Sequence, residues 1–376
     1  MNKWKITAII SLIALVIVSG LYASGFGYKD APQETALPEE SEAPAEETAA
    51  AEPVKEDWLT FWNDDAPAKQ KLTAFVEAAV DENSPSYILE EDRIAVFDLD
   101  GTLFCETDPV YFDYQLFLHR VEEDPDYEPS ETELQTAAMI HEQIETGSSP
   151  KGLEVAHGQG IASAFAGMTL KEFSAYVHDF AQQDAPGYNN IKRGDAFYLP
   201  MVEVVDYLQN HGFTVYIVSG TDRLIVRGIV EGISYLDIPP NNIIGSDELI
   251  TTRKQGDTDG LNYLYTPDDE LIMAGEFLIK NLKMNKVAVI AQEIGIQPVL
   301  SFGNSTGDSS MAKYTVTRNP YEALAFMLCC DDTVRENGDE AKAQKMYDLC
   351  EENGWIPVSM KNDWKTIYGD EVTRKQ

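Results

Sequence analysis

Apolar and polar positions fall into blocks along this chain, and the sharpest block is Ile94-Ala95-Val96-Phe97, closed abruptly by Asp98. A short continuous apolar run ended this way predicts a strand buried on both faces. Phe213–Val218, Ile243-Ile244-Gly245 and Pro298–Phe302 repeat the pattern. Between and around them the period becomes helical, over Pro200–Asn210, Asp222–Glu231 and Gly275–Ile294. Upstream, Trp58, Leu59, Trp62, Leu72, Phe75, Val76 and Val80 predict an amphipathic helix in Asp57–Val80, stopped by the polar turn Asp81–Ser86. Leu249–Thr252 and Leu261–Tyr265 flank the turn-rich Gly256–Gly260 and predict a hairpin. After Phe302, helical patterns and a short apolar segment at Trp355–Val358 complete the chain. Strands separated by helices predict an α/β fold with a parallel sheet and right-handed crossovers.

Phe104–Lys192 has no strong strand pattern. Helices are expected near Tyr111–Leu118, over Glu131–Glu145 and over Thr169–Gln182, punctuated by Gly147, Pro150, Gly158, Gly160, Pro186 and Gly187. This reads as a helical insertion lying over the end of the first strand. At the start of the chain, Lys3 and Lys5 precede the apolar stretch Ile6–Ala23, which predicts a signal peptide or single transmembrane anchor in residues 1–27. The positive-inside rule then places everything downstream outside the membrane, in a secreted or membrane-anchored protein that meets the membrane only through this segment. Residues 28–56 are rich in Glu, Ala and Pro and predict a disordered acidic linker.

The net charge of −36 over 376 residues argues against nucleic acid or an anionic membrane surface as the main partner. An anionic substrate would need a metal ion or local Lys and Arg to offset that field. Cys105, Cys329, Cys330 and Cys350 match no zinc spacing and are too sparse for a disulfide scaffold, although Cys350 could pair with Cys329 or Cys330 in an exported domain.

In a parallel sheet the site lies at the carboxyl ends of the strands. That rule gathers Asp98–Thr102, Ser219–Thr221 and Gly303–Asp308. The period of a strand puts Asp98 and Asp100 on one side, where two close carboxylates need a cation.

D-L-D-G-T at 98–102, S-G-T at 219–221, Lys286 opening a helix in N-K-V-A-V-I, and G-N-S-T-G-D at 303–308 together resemble the haloacid dehalogenase (HAD) superfamily in its phosphatase branch. The general look is similar to the phosphoserine-phosphatase-like group. The resemblance implies a Rossmann-like core over residues 57–103 and 193–376, and an inserted helical C1 cap over 104–192. It implies a phosphomonoester hydrolase acting on a small phosphorylated substrate, using Mg²⁺ and an aspartyl-phosphate. Asp98 would be the nucleophile, and Asp100 the general acid and then base. Ser219 and Lys286 would hold the phosphate, with Gly101, Thr102, Gly220 and Thr221 around it. Asp98, the backbone carbonyl of Asp100, Asn304 and Asp308 would hold the metal. Lys280 and Lys283 compete with Lys286 for the lysine role. Asn304 departs from the family's common acidic residue and brings no charge. The phosphoserine enzyme's amino-binding acid follows the nucleophile by nine residues; here Glu106 lies at eight and Thr107 takes the slot, a departure that speaks against phosphoserine as the substrate, and Glu106 is either still able to reach a cationic substrate group or simply a polar residue starting the cap. The alternatives are a phosphotransferase or mutase of the same superfamily, and a weakly catalytic module that binds phosphorylated ligands.

Overall fold

Ile94–Phe97 forms the central strand β1, buried along its whole length. Thr214–Asp222 (β3) and Leu300–Gly303 (β6) flank it in parallel, so that Phe97 faces Ile217 on one side and Phe302 on the other. Ile243–Thr252 (β4) extends the sheet beyond β3, and Leu324–Cys329 (β7) and Ile356–Ser359 (β8) extend it beyond β6, all parallel. Leu271–Ile279 (β5) adds an antiparallel edge to β4, giving the order β5-β4-β3-β1-β6-β7-β8. Tyr188–Asn189 (β2) pairs with Thr373–Arg374 (β9) in a separate small ribbon. This computed structural model describes residues 57–375; the expected apolar segment, the linker and their membrane topology lie outside the described residues. Among the described residues no helix is long and apolar enough to cross a membrane.

Strand alternation explains why β1 needed a continuous apolar run. Ala95 and Phe97 enter one buried cluster, whereas Ile94 and Val96 enter another with Val289, Ile290 and Met311 on the opposite face. The helices are Pro67–Val80 (α1), Phe112–Leu118 (α2), Glu131–Thr146 (α3), Leu153–Ala164 (α4), Leu170–Ala181 (α5), Leu199–Asn210 (α6), Arg223–Glu231 (α7), Met284–Val289 (α8), Ser309–Val316 (α9) and Glu340–Asn353 (α10). The insertion between β1 and β2 is therefore helical, as expected. Ser130 and Thr169 start α3 and α5 with capping boxes that use Glu133 and Glu172. Close approaches bind the insertion to the rest: a Cβ on Gly158 would sit 2.5 Å from Phe277 on β5.

Several local expectations are corrected. α1 starts at Pro67, not near Asp57, because Pro67 suits a first helical turn and Trp62 is held elsewhere. The Trp62 indole donates to the Pro200 carbonyl at 2.9 Å, and Trp62 bridges to Trp364. Gly275–Ile294 is not one helix: β5 occupies it to Ile279, and the helix begins at Met284 and continues to Ile294 through a π turn. β5 is a half-exposed edge in which only Met273 is buried, and its apolar residues Leu271–Ala274 and Phe277–Ile279 fall on both faces without alternating, so no period of two marks it as a strand. The return strand of the hairpin is β5 and not Leu261–Tyr265, where Leu261 is 97% exposed. Neither β7 nor α4 was distinguished by pattern. All four cysteines are free thiols, so the expected option of a Cys350 pairing is not taken.

One buried carboxyl carries a stability prediction. Glu248 on β4 is 7% exposed, and neither carboxylate oxygen has a hydrogen-bond partner among the described residues. Burial, then the charges of Asp222 and Asp247, push its pKa up to about 9. The folded value lies above the ordinary 4.5, so the group's contribution is fully present below 4.5 and is lost as pH rises toward 9. At pH 7 this costs the fold about 3 kcal/mol, at 1.36 kcal/mol per pH unit. Glu248→Met is expected to raise Tm by roughly 5 °C at pH 7 and by less at pH 5. Thermal scans at both pH values that show no gain would refute this account.

Candidate active site

The three polar strand ends meet as expected. The Asp98 amide donates to the Phe302 carbonyl at 2.9 Å, which continues the β1–β6 pairing and fixes where the side chain begins. Lys286 on α8 reaches up from the interior with no exposed surface. Its ammonium donates to Asp98 Oδ1 at 2.7 Å and to Asp308 Oδ1 at 2.6 Å. Burial alone would lower the lysine pKa, but Asp308 and Asp98 outweigh it and the net shift is upward. Lys286 is thus held in its cationic form and bonds Asp98, whereas Lys280 and Lys283 line the cavity above it.

Asp308 organises the last loop. Its Oδ2 accepts from the amides of Asn304 and Ser305, both at 3.1 Å, and from the Ser305 hydroxyl at 3.2 Å. With Lys286 on the other oxygen, both oxygens are engaged and the residue is 1% exposed. Asp308 therefore meets the site through Lys286 and the loop it folds, and is not a lining residue.

Asp100 points the other way. Its Oδ2 accepts from the Thr221 hydroxyl at 2.7 Å. The Thr221 amide in turn donates to Ser219 Oγ at 3.0 Å. Ser219 is completely buried, and its oxygen braces the turn one layer beneath the cavity wall. The brace continues through residues that local patterns did not mark. Asn281 donates from Nδ2 to the Ser219 carbonyl at 3.0 Å, and the Ser246 hydroxyl donates to the Gly220 carbonyl at 2.6 Å. Only the pairing of β3, β4 and β5 brings these together, so no spacing in the chain could have signalled them.

The two acids stand in different environments. Burial, then Asp308, pushes the Asp98 pKa up to about 7 against the opposing pull of Lys286. Asp100 has no such cation, and burial, then Asp113, then Asp98 drive it well above the carboxylate range. The two carboxyls thus stand in environments that separate them, one held toward its protonated form and one that a lysine helps to ionise.

Gly101 has φ +71°, and a Cβ there would lie 1.8 Å from Asn304 Nδ2 and 2.6 Å from the Glu106 carboxyl carbon. Only glycine allows β1 to end under both side chains. The Asn304 amide hydrogen-bonds Glu106, whose pKa burial nevertheless raises to about 7. Thr102 is fully buried and its hydroxyl has no partner among the described residues.

These groups floor a cavity of about 260 Å³ that Asp98, Asp100, Gly220, Thr221, Asn304 and Glu106 help to line. Among the described residues no three His, Cys, Asp or Glu side chains gather as a metal cluster. A mixed oxygen set fits a hard cation better. Asn304 Oδ1 is buried without a hydrogen-bond partner, beside the Asp98 and Asp100 carboxyls that line the same cavity. An unsatisfied buried amide oxygen is costly unless something completes it.

The sequence model of haloacid dehalogenase-like hydrolases matches residues 95–313, more than half of the chain. No curated protein matches. Among solved structures, a Bordetella pertussis protein of unknown function is similar at 16% identity and TM-score 0.45, covering 71% of this chain and 97% of its own. Cytosolic 5'-nucleotidase IIIB bound to cytidine is similar at 14% identity and TM-score 0.47, covering 80% of this chain and 88% of its own. A phosphoserine phosphohydrolase-like protein from Francisella tularensis is similar at 13% identity and TM-score 0.38, covering 70% of this chain and 94% of its own. With the family match spanning the strand ends that carry Asp98, Thr221 and Asp308 and the helix that carries Lys286, the chain belongs to the haloacid dehalogenase-like hydrolase family.

Proposed function

We propose that the protein is a Mg²⁺-dependent phosphomonoesterase that works through an aspartyl-phosphate on Asp98. The observation that supports this most directly is the division of labour at the end of β1. Asp98 is bonded to the Lys286 ammonium, while Asp100 is held by Thr221 with its pKa raised. An ionised Asp98 oxygen attacks phosphorus, and the bond from phosphorus to the leaving oxygen breaks. Asp100 gives its proton to that oxygen, so a neutral alcohol departs. Asp100, now a base, takes a proton from water as the water attacks phosphorus. The acyl-phosphate bond breaks, and inorganic phosphate and the Asp98 carboxylate are restored.

Lys286 holds Asp98 in place, and Gly220 and Thr221 present the carboxyl end of β3 to the phosphate. Asp98, the Asp100 carbonyl and Asn304 would hold Mg²⁺, which supplies positive charge against which an anionic ester can approach a carboxylate. Asp308 keeps the Asn304 loop folded for that purpose. In this reading residues 104–192 act as a cap over a core of 57–103 and 193–376.

The test is hydrolysis of p-nitrophenyl phosphate by the purified protein. Turnover is expected with Mg²⁺, to disappear with EDTA, and to return when Mg²⁺ is restored in excess. A folded protein that releases no p-nitrophenol with Mg²⁺, Mn²⁺ or Co²⁺ would rule the proposal out and favour the ligand-binding alternative.

A further inference from the structure

The cavity over Asp98 is polarised across its width. The segment before α8 contributes Lys280 and Lys283, and the loop after β6 contributes Asn304, Ser305 and Thr306. The facing wall, from the helical insertion, contributes Asp113, Glu154, Tyr111 and Tyr114 and no cation. Glu106 also stands on this side but is tied to Asn304. The lining cations thus come from the core, and the charges that the insertion adds are all acidic.

Asp113 on α2 carries the argument. It is 2% exposed, lines the cavity, and its Oδ1 has no hydrogen-bond partner among the described residues. Its basic neighbour does not neutralise it. His157 Nε2 lies 3.1 Å from the Asp113 main-chain carbonyl, which can only accept, so Nε2 carries the proton. Burial pushes the His157 pKa down to about 4, so the ring is neutral and Nδ1 is a lone pair. That lone pair is what faces Asp113 Oδ2 at 3.7 Å. A buried carboxyl oxygen that faces the cavity has no donor among the described residues; Lys280, whose charge reaches His157, lines the same cavity without bonding it. Two aromatic rings stand beside the carboxyl. Tyr111 and Tyr114 lie edge to face, 5.1 Å apart at 73°, and both line the cavity. Such rings attract a cationic nitrogen.

The position of this wall along the reaction is also determined. Asp113 and Asp100 line one cavity, in which the segment before α8 and the loop after β6 supply the groups for an anion. Asp100 is the group that protonates the departing oxygen in the function proposed above. The acidic wall therefore adjoins the leaving group and not the phosphate. At about 260 Å³, the cavity is smaller than the ~300–1,000 Å³ typical of drug-sized ligands, which suits a short leaving group.

Resting on the phosphatase reading, we infer that Asp113, Glu154, Tyr111 and Tyr114 form a subsite for a cationic nitrogen on the leaving alcohol. The substrate class is then a zwitterion, the phosphate monoester of a small amino or quaternary-ammonium alcohol.

The test compares phosphocholine with its uncharged isostere, 3,3-dimethylbutyl phosphate, at equal Mg²⁺. The wild-type ratio of kcat/KM is expected to favour the cation by at least about 30-fold. Asp113→Asn is expected to cut that ratio by about 10-fold, whatever happens to the absolute rates. Asp113 is buried and its replacement can impair folding, so Glu154→Gln, at the exposed mouth, is measured too and is expected to lower the ratio several-fold. Turnover of both esters at a wild-type ratio near one overturns the subsite and leaves the phosphatase reading standing. If neither ester is turned over, titration calorimetry of choline against 3,3-dimethylbutan-1-ol decides. Preferential binding of choline supports the subsite and removes only the phosphatase reading, whereas equal or absent binding overturns the subsite as well.

Discussion

Asp98→Asn is expected to lower p-nitrophenyl phosphate turnover by at least about four orders of magnitude while leaving Tm unchanged or slightly raised. The two effects separate for a physical reason. An amide has nearly the shape of the carboxylate, and its oxygen can still accept from Lys286. It cannot form the acyl-phosphate, because the carboxylate's nucleophilic oxygen is gone. Stability behaves differently because the wild-type carboxylate sits where burial and Asp308 oppose its charge. Removing that charge relieves a strain that the fold tolerates for catalysis. Steady-state assays beside thermal scans measure both sides. Residual turnover within ten-fold of wild type would mean that Asp98 is not the nucleophile.

Lys286→Met is expected to do the reverse for stability, costing about 3–5 kcal/mol in addition to abolishing turnover. The ammonium is completely buried and is bonded to two carboxylates. A methionine fills the volume but leaves Asp98 and Asp308 facing each other in a dry site. The sign of the pH dependence follows. Without the lysine both folded carboxylate pKa values rise above their unfolded values, so stability is retained at low pH and lost as pH rises. The wild-type lysine pKa is raised, so its contribution is present throughout the neutral range and is lost only above it. The stability gap between variant and wild type should therefore widen from pH 5 to pH 8. Urea titrations that give a constant gap, or one that narrows, would show that the variant fails for another reason, such as packing.

The site was more legible in the chain than the fold around it. Asp98, Asp100, Thr221 and Asp308 follow apolar runs that mark strand ends, and the rule about carboxyl ends does the rest, whereas Lys286 was singled out only by the family resemblance. The structure adds their division of labour: Asp308 bonds Lys286, and Ser219 lies beneath the wall it was expected to line. Strands buried on both faces announce themselves, as β1 does. β5 does not, because its apolar residues are only partly buried and do not alternate as those of an edge strand should. Asn281 and Ser246 were illegible for a different cause: their partners lie on another strand turn and are neighbours only after folding. Asp113 and Glu154 belong to no motif in the sequence, and only the fold brings both to the lining of one cavity.

The apolar cluster beneath the site runs without a break from Phe97, Ile217 and Phe302 in the sheet to Phe112, Leu116, Ile161, Phe165 and Phe173 in the insertion. A hinged lid would have to tear that cluster to swing. The insertion and the sheet are consequently coupled as one cooperative unit, and they melt together instead of in sequence. Free energy released by a ligand at the cavity is then shared by the whole body: its mass-action gain raises the barrier to opening at the sheet and at the insertion alike. Substrate traffic falls to the rim, where side chains such as Gln143, Ser149 and Glu154 can turn aside while the frame that aims Asp98 stays still.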